Sequence, residues 1–228
     1  MDAPRPRGVA GSTLRRAGIA TAAVLLVVLI LVLGWANPPR PGIIATDRLG
    51  PESGEQVADY LTRARKSLAG SDSGGHWALL SFTAGVTADR IPEFSAGLRV
   101  SEVDYHVWVD RVATPIIAIG VPSGEGIAVA SVKSAAAQME STTTFDTRST
   151  QVKDLVAARL RADCACVVGV VVHGSLSQLR TVATRPGIRA VEALPADASA
   201  AVFAVSPLLP EQREAAVPGP DDGPVPVG

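Results

Sequence analysis

The amino-acid sequence predicts an α+β protein in which one N-terminal transmembrane helix precedes an extracytoplasmic domain with an internal βαβ repeat. Three observations support this prediction. Residues 18–35 carry no charged side chain, the remainder alternates between helix-like and strand-like apolar spacing, and two short segments at an offset of 90 residues resemble each other. None of the three identifies a reaction.

The uncharged run is long enough to cross a bilayer as a helix. At about 1.5 Å per residue it covers roughly 27 Å, close to the hydrocarbon thickness, and positions 24–33 are valine, leucine or isoleucine on every side of the helix. Four arginines and one aspartate precede it, and such a positive excess stays in the cytoplasm. We therefore expect a cytoplasmic basic arm at 1–17 and a single-pass helix at 18–36, held in the lipid bilayer of the plasma membrane. A cleaved export signal is the alternative.

Two proline-rich segments bound the folded part of the chain. Residues 37–52 begin with NPPRPG, which is typical of a stiff extended spacer. Residues 215–228, which contain VPGPDDGPVPVG, offer little apolar mass to bury and are expected to be a disordered tail. The extracytoplasmic domain is therefore predicted at 53–214.

The first half of the domain, at about 53–121, is predicted to contain two helices and three strands. Apolar side chains at helical spacing indicate helices over 53–68 and 87–96. In the clearest strand, 103–109, valines and a tyrosine alternate with acidic residues and His106, so one side should be buried and the other should face water. The predicted strands are 77–83, 103–109 and 115–121.

The second half, at about 150–206, is predicted to follow the same order of elements. A valine-rich run at 167–172 is typical of a buried strand, and Ser175 with Gln178 forms a capping box that begins a helix. A further helix at 127–139 separates the two halves. The remaining predicted elements are a helix at 150–162 and strands at 188–194 and 201–205.

The two halves also agree in local sequence. GLRVSEV from Gly97 matches GIRAVEA from Gly187, which pairs Gly with Gly, Arg99 with Arg189 and Glu102 with Glu192. Chance similarity between segments rich in glycine, alanine and valine is the alternative. The physical interpretation is two βαβ units whose strands combine into one sheet with helices against it, the ferredoxin-like plan.

The segment VVVHGSLSQLRTVATRPGIRAVEALP resembles the strand, helix and strand that end ferredoxin-like modules such as subtilase propeptides. The resemblance covers about 26 residues and implies a fold. No protease domain follows it, so an inhibitory or chaperone role is not implied. The overall layout resembles single-pass envelope proteins of actinobacteria, a likeness that implies a location and no activity.

Cys164 and Cys166, in DCACVV, are the two cysteines of the chain. Outside the cytoplasm they could form a disulfide. In an extended strand, however, residues two apart have Cα atoms about 6.5 to 7 Å apart, at the edge of what a disulfide tolerates, so a bond requires a turn. Three alternatives follow: two buried thiols, a structural disulfide, or a strained pair with redox activity.

The remaining chemistry-bearing residues do not form a recognisable catalytic, cofactor or metal motif. The three histidines lie in neither HxH nor HExxH spacing, and no phosphate-binding or nucleophile-elbow motif occurs. A net charge of −1 argues against binding of nucleic acid. We therefore expect no catalytic, cofactor-binding or metal-ligating residue and no cofactor.

The sequence thus predicts a non-catalytic, membrane-anchored interaction or structural protein of the cell envelope, whose partner is an unknown envelope protein. His106 and Trp108 are candidates for its contact surface, and an exposed strand edge would be its natural contact. The alternative is a thiol-based redox enzyme, or another envelope enzyme, that uses Cys164 and Cys166.

Overall fold

The computed structural model describes Leu26 and residues 47–122, 124–199 and 202–226. Apart from Leu26, the predicted transmembrane segment 18–36 lies outside the described residues. Among those that are described, no helix is both long and apolar enough to cross a membrane. The predicted fold class is therefore corrected: the structure is α+β with one antiparallel and one parallel sheet, and a membrane-spanning helix is not among its described elements.

The described residues of the domain form five helices and seven strands, and one turn of 3₁₀-helix at Ala88–Arg90. The helices are α1 (Val57–Ser67), α2 (Ile91–Ser95), α3 (Glu125–Ser141), α4 (Thr147–Arg161) and α5 (Leu176–Ala183). The strands are β1 (Arg48–Leu49), β2 (Gly75–Val86), β3 (Arg99–His106), β4 (Ile116–Gly120), β5 (Val167–Ser175), β6 (Ile188–Ala193) and β7 (Ala204–Val205).

The larger sheet has the strand order β4-β3-β5-β2-β6, and all neighbouring strands are antiparallel. Two strand–helix–strand units, β2-α2-β3 and β5-α5-β6, interleave so that β5 and β2 are central. In each unit the chain passes from helix to strand at a glycine in the left-handed region, Gly97 with φ 78° and Gly187 with φ 90°. Glycine is suited to both turns because it has no Cβ.

The helices α2 to α5 cover one face of this sheet and form the main core. Leu80, Phe82, Val103 and Tyr105 from the strands join Leu179 and other apolar side chains of the helices in one buried cluster. α5 begins with the predicted capping box, since the Ser175 and Gln178 side chains bond each other's backbone N–H groups. The apolar spacing of these segments therefore produces the layer that holds the sheet.

The opposite face of the sheet is covered by α1, by the parallel pair β1–β7 and by the chain that follows β7. Two smaller apolar clusters form there, one around Tyr60 and Leu208 and the other around Trp77 and Leu79. This cover changes the prediction for β3. Asp104 and His106 were expected to face water, but they are only 1% and 8% exposed, because residues 206–211 pack over them.

The predicted half-repeats, 53–121 and 150–206, also differ from the units that the structure contains. α1 packs on the outer strand β6, whereas α4 packs on α3. β4 extends the larger sheet beyond β3, whereas β7 pairs with β1 in a separate sheet. The order of helices and strands is therefore the same in both halves, α1-β2-α2-β3-β4 and α4-β5-α5-β6-β7, but only the two interleaved units are placed alike in the sheet.

The segment predicted to be a disordered tail lies along the domain as far as residue 226. Ala216 N–H donates to the Glu55 carbonyl at 2.9 Å, and Asp221 accepts from Ala113 N–H at 3.0 Å. Arg148 on α4 donates to the Gly223 carbonyl at 2.9 Å and pairs with Asp221. Backbone and ionic partners hold this segment, and composition does not reveal such partners.

Candidate functional site

His106 ends β3 and is buried beneath the chain that follows β7. Its backbone N–H donates to the Cys166 carbonyl at 2.8 Å, which continues the ladder between β3 and β5. Its ring Nε2 lies 2.9 Å from the Glu211 carboxylate. Burial raises the pKa of Glu211, but the hydrogen bond from His106, a backbone N–H donor and the charges of His106 and Arg189 together outweigh burial and leave that pKa below the ordinary value. The pair therefore fastens the covering segment to the sheet.

Trp108 lies two residues beyond β3, and its side chain points outward. It is 57% exposed, whereas Val107 and Val109 on either side of it are buried. The turn that carries it is well held, because Thr114 donates its hydroxyl to the Val107 carbonyl at 2.7 Å and Val109 pairs with Val112. The indole is thus presented to solvent on a rigid turn.

Cys164 and Cys166 lie between α4 and β5 and are joined by a disulfide. Their Cα atoms are 5.2 Å apart, because the chain turns here: Cys166 N–H donates to the Cys164 carbonyl at 2.8 Å. Cys166 is only 5% exposed, while Cys164 is partly exposed. Of the three alternatives for these residues, the structure contains a disulfide; its reactivity stays a prediction.

All four residues that the sequence singles out line one surface cavity of about 540 Å³. The end of β2 forms another wall, where Gly85 approaches so closely that an added Cβ would lie 2.2 Å from the Ala165 carbonyl oxygen. The cavity is open to solvent, since the exposed Arg159 and Arg213 are also part of its lining. The fold therefore brings the predicted contact residues and the disulfide to the same place.

A longer groove of about 860 Å³ adjoins this cavity and shares the side chains of His106, Trp108, Glu211 and Arg213 with it. One wall is the turn that carries Trp108, and the other is the chain at 206–220. Ile116, the first residue of β4, lies at its rim and is 42% exposed. The groove thus leads from the disulfide cavity to the edge of the larger sheet.

β4 is the outermost strand at this edge and pairs only with β3 among the described strands. Val121 N–H donates to the Ser101 carbonyl at 2.7 Å, and backbone groups alternate in direction along an antiparallel strand. Ile116, Ala118 and Gly120 therefore direct their N–H and C=O groups away from the sheet. The strand carries no charge, no proline and no bulge, the features that usually protect an edge from pairing.

The other two histidines lie away from this region. His76 on β2 is buried and donates to the Leu194 carbonyl at 2.7 Å and to Asp72 at 2.8 Å. Burial opposes its charge, but these two acceptors raise its pKa above the ordinary value. His173 on β5 packs against Trp77 with ring centroids 4.6 Å apart. Within the described part of the chain, no three His, Cys, Asp or Glu side chains are placed to hold a metal ion.

Several residues of the site escaped the reasoning from sequence, namely Glu211, Arg159 and Arg213. Each is an ordinary charged residue in its own segment, and none belongs to a motif. Glu211 lies beyond the last predicted strand, far in sequence from the histidine that it bonds. No local signal in the sequence indicates that these residues meet.

Comparison of the chain with protein-family models, with curated proteins and with solved structures finds no match. The resemblance to ferredoxin-like modules and to actinobacterial envelope proteins therefore stays a prediction.

Proposed function

We propose that this domain is a non-catalytic interaction domain outside the cytoplasm that binds an extended segment of another envelope protein along β4. The observation that carries the proposal is the edge of β4, where three outward-facing residues can form a backbone ladder with an added strand. A partner strand would gain main-chain hydrogen bonds from the edge. Its alternate side chains would reach the groove beside Trp108.

Two features support an apolar partner segment. Ile116 and Trp108 are both substantially exposed and line the same groove. Neither β4 nor the adjoining Pro115 and Val121 carries a charge. Tryptophan is enriched at the centres of protein interfaces because it buries a large area at little conformational cost. The expected partner is therefore an extended apolar stretch of polypeptide.

The disulfide supports the proposed compartment. Disulfides form and persist mainly outside the cytoplasm, and Cys164 and Cys166 form one.

Thr114, His106 and Glu211 form a chain of hydroxyl, imidazole and carboxylate, with Thr114 Oγ1 3.4 Å from His106 Nδ1. The Thr114 hydroxyl, however, donates its hydrogen to the Val107 carbonyl at 2.7 Å, so the histidine is not placed to remove it as a catalytic base would. Binding therefore accounts for the site better than hydrolysis does.

Photo-crosslinking in the native cells tests the proposal. A photoreactive phenylalanine analogue replaces Trp108 in one protein and Phe145, which is 95% exposed in the link between α3 and α4, in the control. We expect a defined protein adduct from position 108 and none of that mass from position 145. The adduct should be lost when Ile116→Lys is added, because a lysine on an edge strand opposes pairing.

Ile127→Lys is the matched control, since Ile127 on α3 is 45% exposed, close to the 42% of Ile116. It should leave the adduct intact. An adduct of equal yield from both labelled positions, or one that survives Ile116→Lys, would refute binding at this edge. A reaction of the purified protein that His106→Ala abolishes would refute the non-catalytic role.

A further inference from the structure

We propose that the Cys164–Cys166 disulfide is a thiol–disulfide exchange site that accepts two electrons from a dithiol entering the cavity beside Trp108. This activity goes beyond the proposed binding along β4. It depends on the two cysteines and on the arginines of the cavity, whereas the binding depends on the edge of β4, and Trp108 lines both sites.

The disulfide contributes little as a structural cross-link. In the chain-entropy account, stabilisation grows with the length of the loop that a disulfide closes, and this bond joins residues only two apart. Backbone hydrogen bonds already hold both sides of the turn. Cys164 N–H donates to the Arg159 carbonyl at 3.2 Å, and the Cys166 carbonyl accepts from His106. The fold therefore persists when the bond opens.

The two sulfur-bearing residues differ in accessibility, as an exchange site requires. Cys164 is partly exposed at the cavity wall, whereas Cys166 is 5% exposed and leads directly into β5. A thiolate that enters the cavity therefore meets Cys164 first. Cys166 is the leaving group.

Two arginines supply positive charge where thiolates would form. Arg159 and Arg213 both line the cavity, and neither forms an ion pair with a carboxylate of the described residues. Cationic neighbours favour the thiolate, which is the reactive form. The one acidic side chain of the lining, Glu211, is engaged by His106.

The exchange proceeds in two balanced steps. The first thiolate of the dithiol attacks Sγ of Cys164, the Cys164–Cys166 bond breaks, and Cys166 leaves as a thiolate. In the second step, the other thiolate of the dithiol attacks the dithiol's first sulfur, which is bonded to Cys164 in the mixed disulfide. Cys164 then leaves as a thiolate. The dithiol is oxidised to a disulfide by two electrons, and the two protein thiolates take up the protons that the dithiol has lost.

Single-cysteine variants of the full-length protein test the proposal. In Cys166→Ala the remaining Cys164 should form a mixed disulfide with oxidised glutathione at least about ten-fold faster than the remaining Cys166 of Cys164→Ala. The protein thiolate must reach a sulfur of the glutathione disulfide, and Cys164 is the more exposed of the two residues. Mass measurement of quenched samples follows the reaction. Far-UV circular dichroism shows that each variant is folded.

A second measurement uses the native protein, so that it does not depend on the folding of variants. Dithiothreitol at millimolar concentration should reduce the disulfide without denaturant, and Arg159→Gln with Arg213→Gln should slow this reduction several-fold. Ile127→Lys, which lies outside the cavity lining, is the control for a surface substitution. A disulfide that dithiothreitol reduces only after unfolding in urea would overturn the proposal, as would equal rates for the two single-cysteine variants.

Discussion

Arg63 on α1 holds a buried carboxylate, and its replacement should destabilise the fold in a pH-dependent way. Its guanidinium pairs with Glu192, whose side chain is 6% exposed, and with Glu55 at 2.8 Å. Glu192 also accepts from Gly50 N–H at 2.6 Å. Burial raises the pKa of Glu192, and the charge of Arg63 opposes that rise. Arg63→Ala therefore leaves a carboxylate in the interior with a single donor.

The expected loss follows from these contacts. Removing one partner of a fully buried ion pair costs about 3–5 kcal/mol. The Arg63 side chain is 40% exposed, and water that screens the charge lowers the cost to about 2–3 kcal/mol. For a domain of this size, each kcal/mol lowers the Tm by about 2–4 °C, so a shift of about 4–12 °C is expected.

The sign of the pH dependence follows from Glu192 and Glu55. Without Arg63 the folded-state pKa of Glu192 rises further above its unfolded value. The free-energy cost of burying the ionised Glu192 is therefore absent at low pH and grows as the pH rises through the unfolded pKa. Arg63 also lowers the pKa of Glu55 in the native protein, and that stabilisation is lost as the pH falls. Both effects make the cost of Arg63→Ala larger at pH 7 than at pH 4.

Urea unfolding followed by circular dichroism at the two pH values measures the cost. Arg90→Ala is the matched control, because Arg90 also pairs with a carboxylate and also lies over an aromatic ring. The guanidinium carbon of Arg90 is 5.0 Å from the ring centre of Phe94, and that of Arg63 is 5.2 Å from the ring centre of Tyr60. Its pair is exposed, so its loss should cost less than about 1 kcal/mol. Equal costs for the two variants, or a cost of Arg63→Ala that does not change with pH, would refute the reasoning.

Two further predictions concern buried ionisable groups. The pKa of His76 is raised by its hydrogen bonds to Leu194 and Asp72. The stabilisation that these bonds give is therefore fully present below the pKa of the unfolded state and disappears as the pH rises through the pKa of the folded state. In urea titrations the stability difference between the native protein and His76→Gln should be larger at pH 5.5 than at pH 8.5, and a constant difference would contradict this. Asp104 is buried, its Oδ2 has no partner among the described residues, and burial and Glu102 hold its pKa well above the ordinary value. Its ionisation destabilises the fold as the pH rises, so Asp104→Asn should gain stability relative to the native protein between pH 5 and pH 8 in the same assay, and a loss of equal size at both pH values would count against it.

Much of the secondary structure was predictable because it depends on local spacing. Pro92 lies in the first turn of α2, and the box of Ser175 and Gln178 begins α5 as expected. Ser53 and Gln56 also have the spacing of a capping box, but none forms there, since α1 begins after Gln56 without a side-chain cap. Helix ends of this kind depend on neighbours from distant segments, here the backbone bond between Val57 and Glu214 at 2.8 Å.

The polar side of β3 shows where reasoning from sequence is wrong. Alternating Glu102, Asp104 and His106 is typical of a strand that faces water. In the structure Gly169 on the neighbouring strand leaves room for the Asp104 carboxyl group, and Pro207 covers both. A strand with charged residues can therefore be buried on both sides when another segment supplies the cover, and the alternation itself is the same in either case.

The type and spacing of residues were enough to predict the α+β class of the domain, the position of most helices and strands, and four candidate residues, which line one cavity. These follow from side-chain periodicity and residue type, which act over a few positions. Only the tertiary structure decided that Trp108 and the disulfide share a cavity, that Glu211 bonds His106, and that β4 is an open edge. Each of these depends on contacts between segments far apart in the chain, and such contacts leave no trace in the local pattern of either segment.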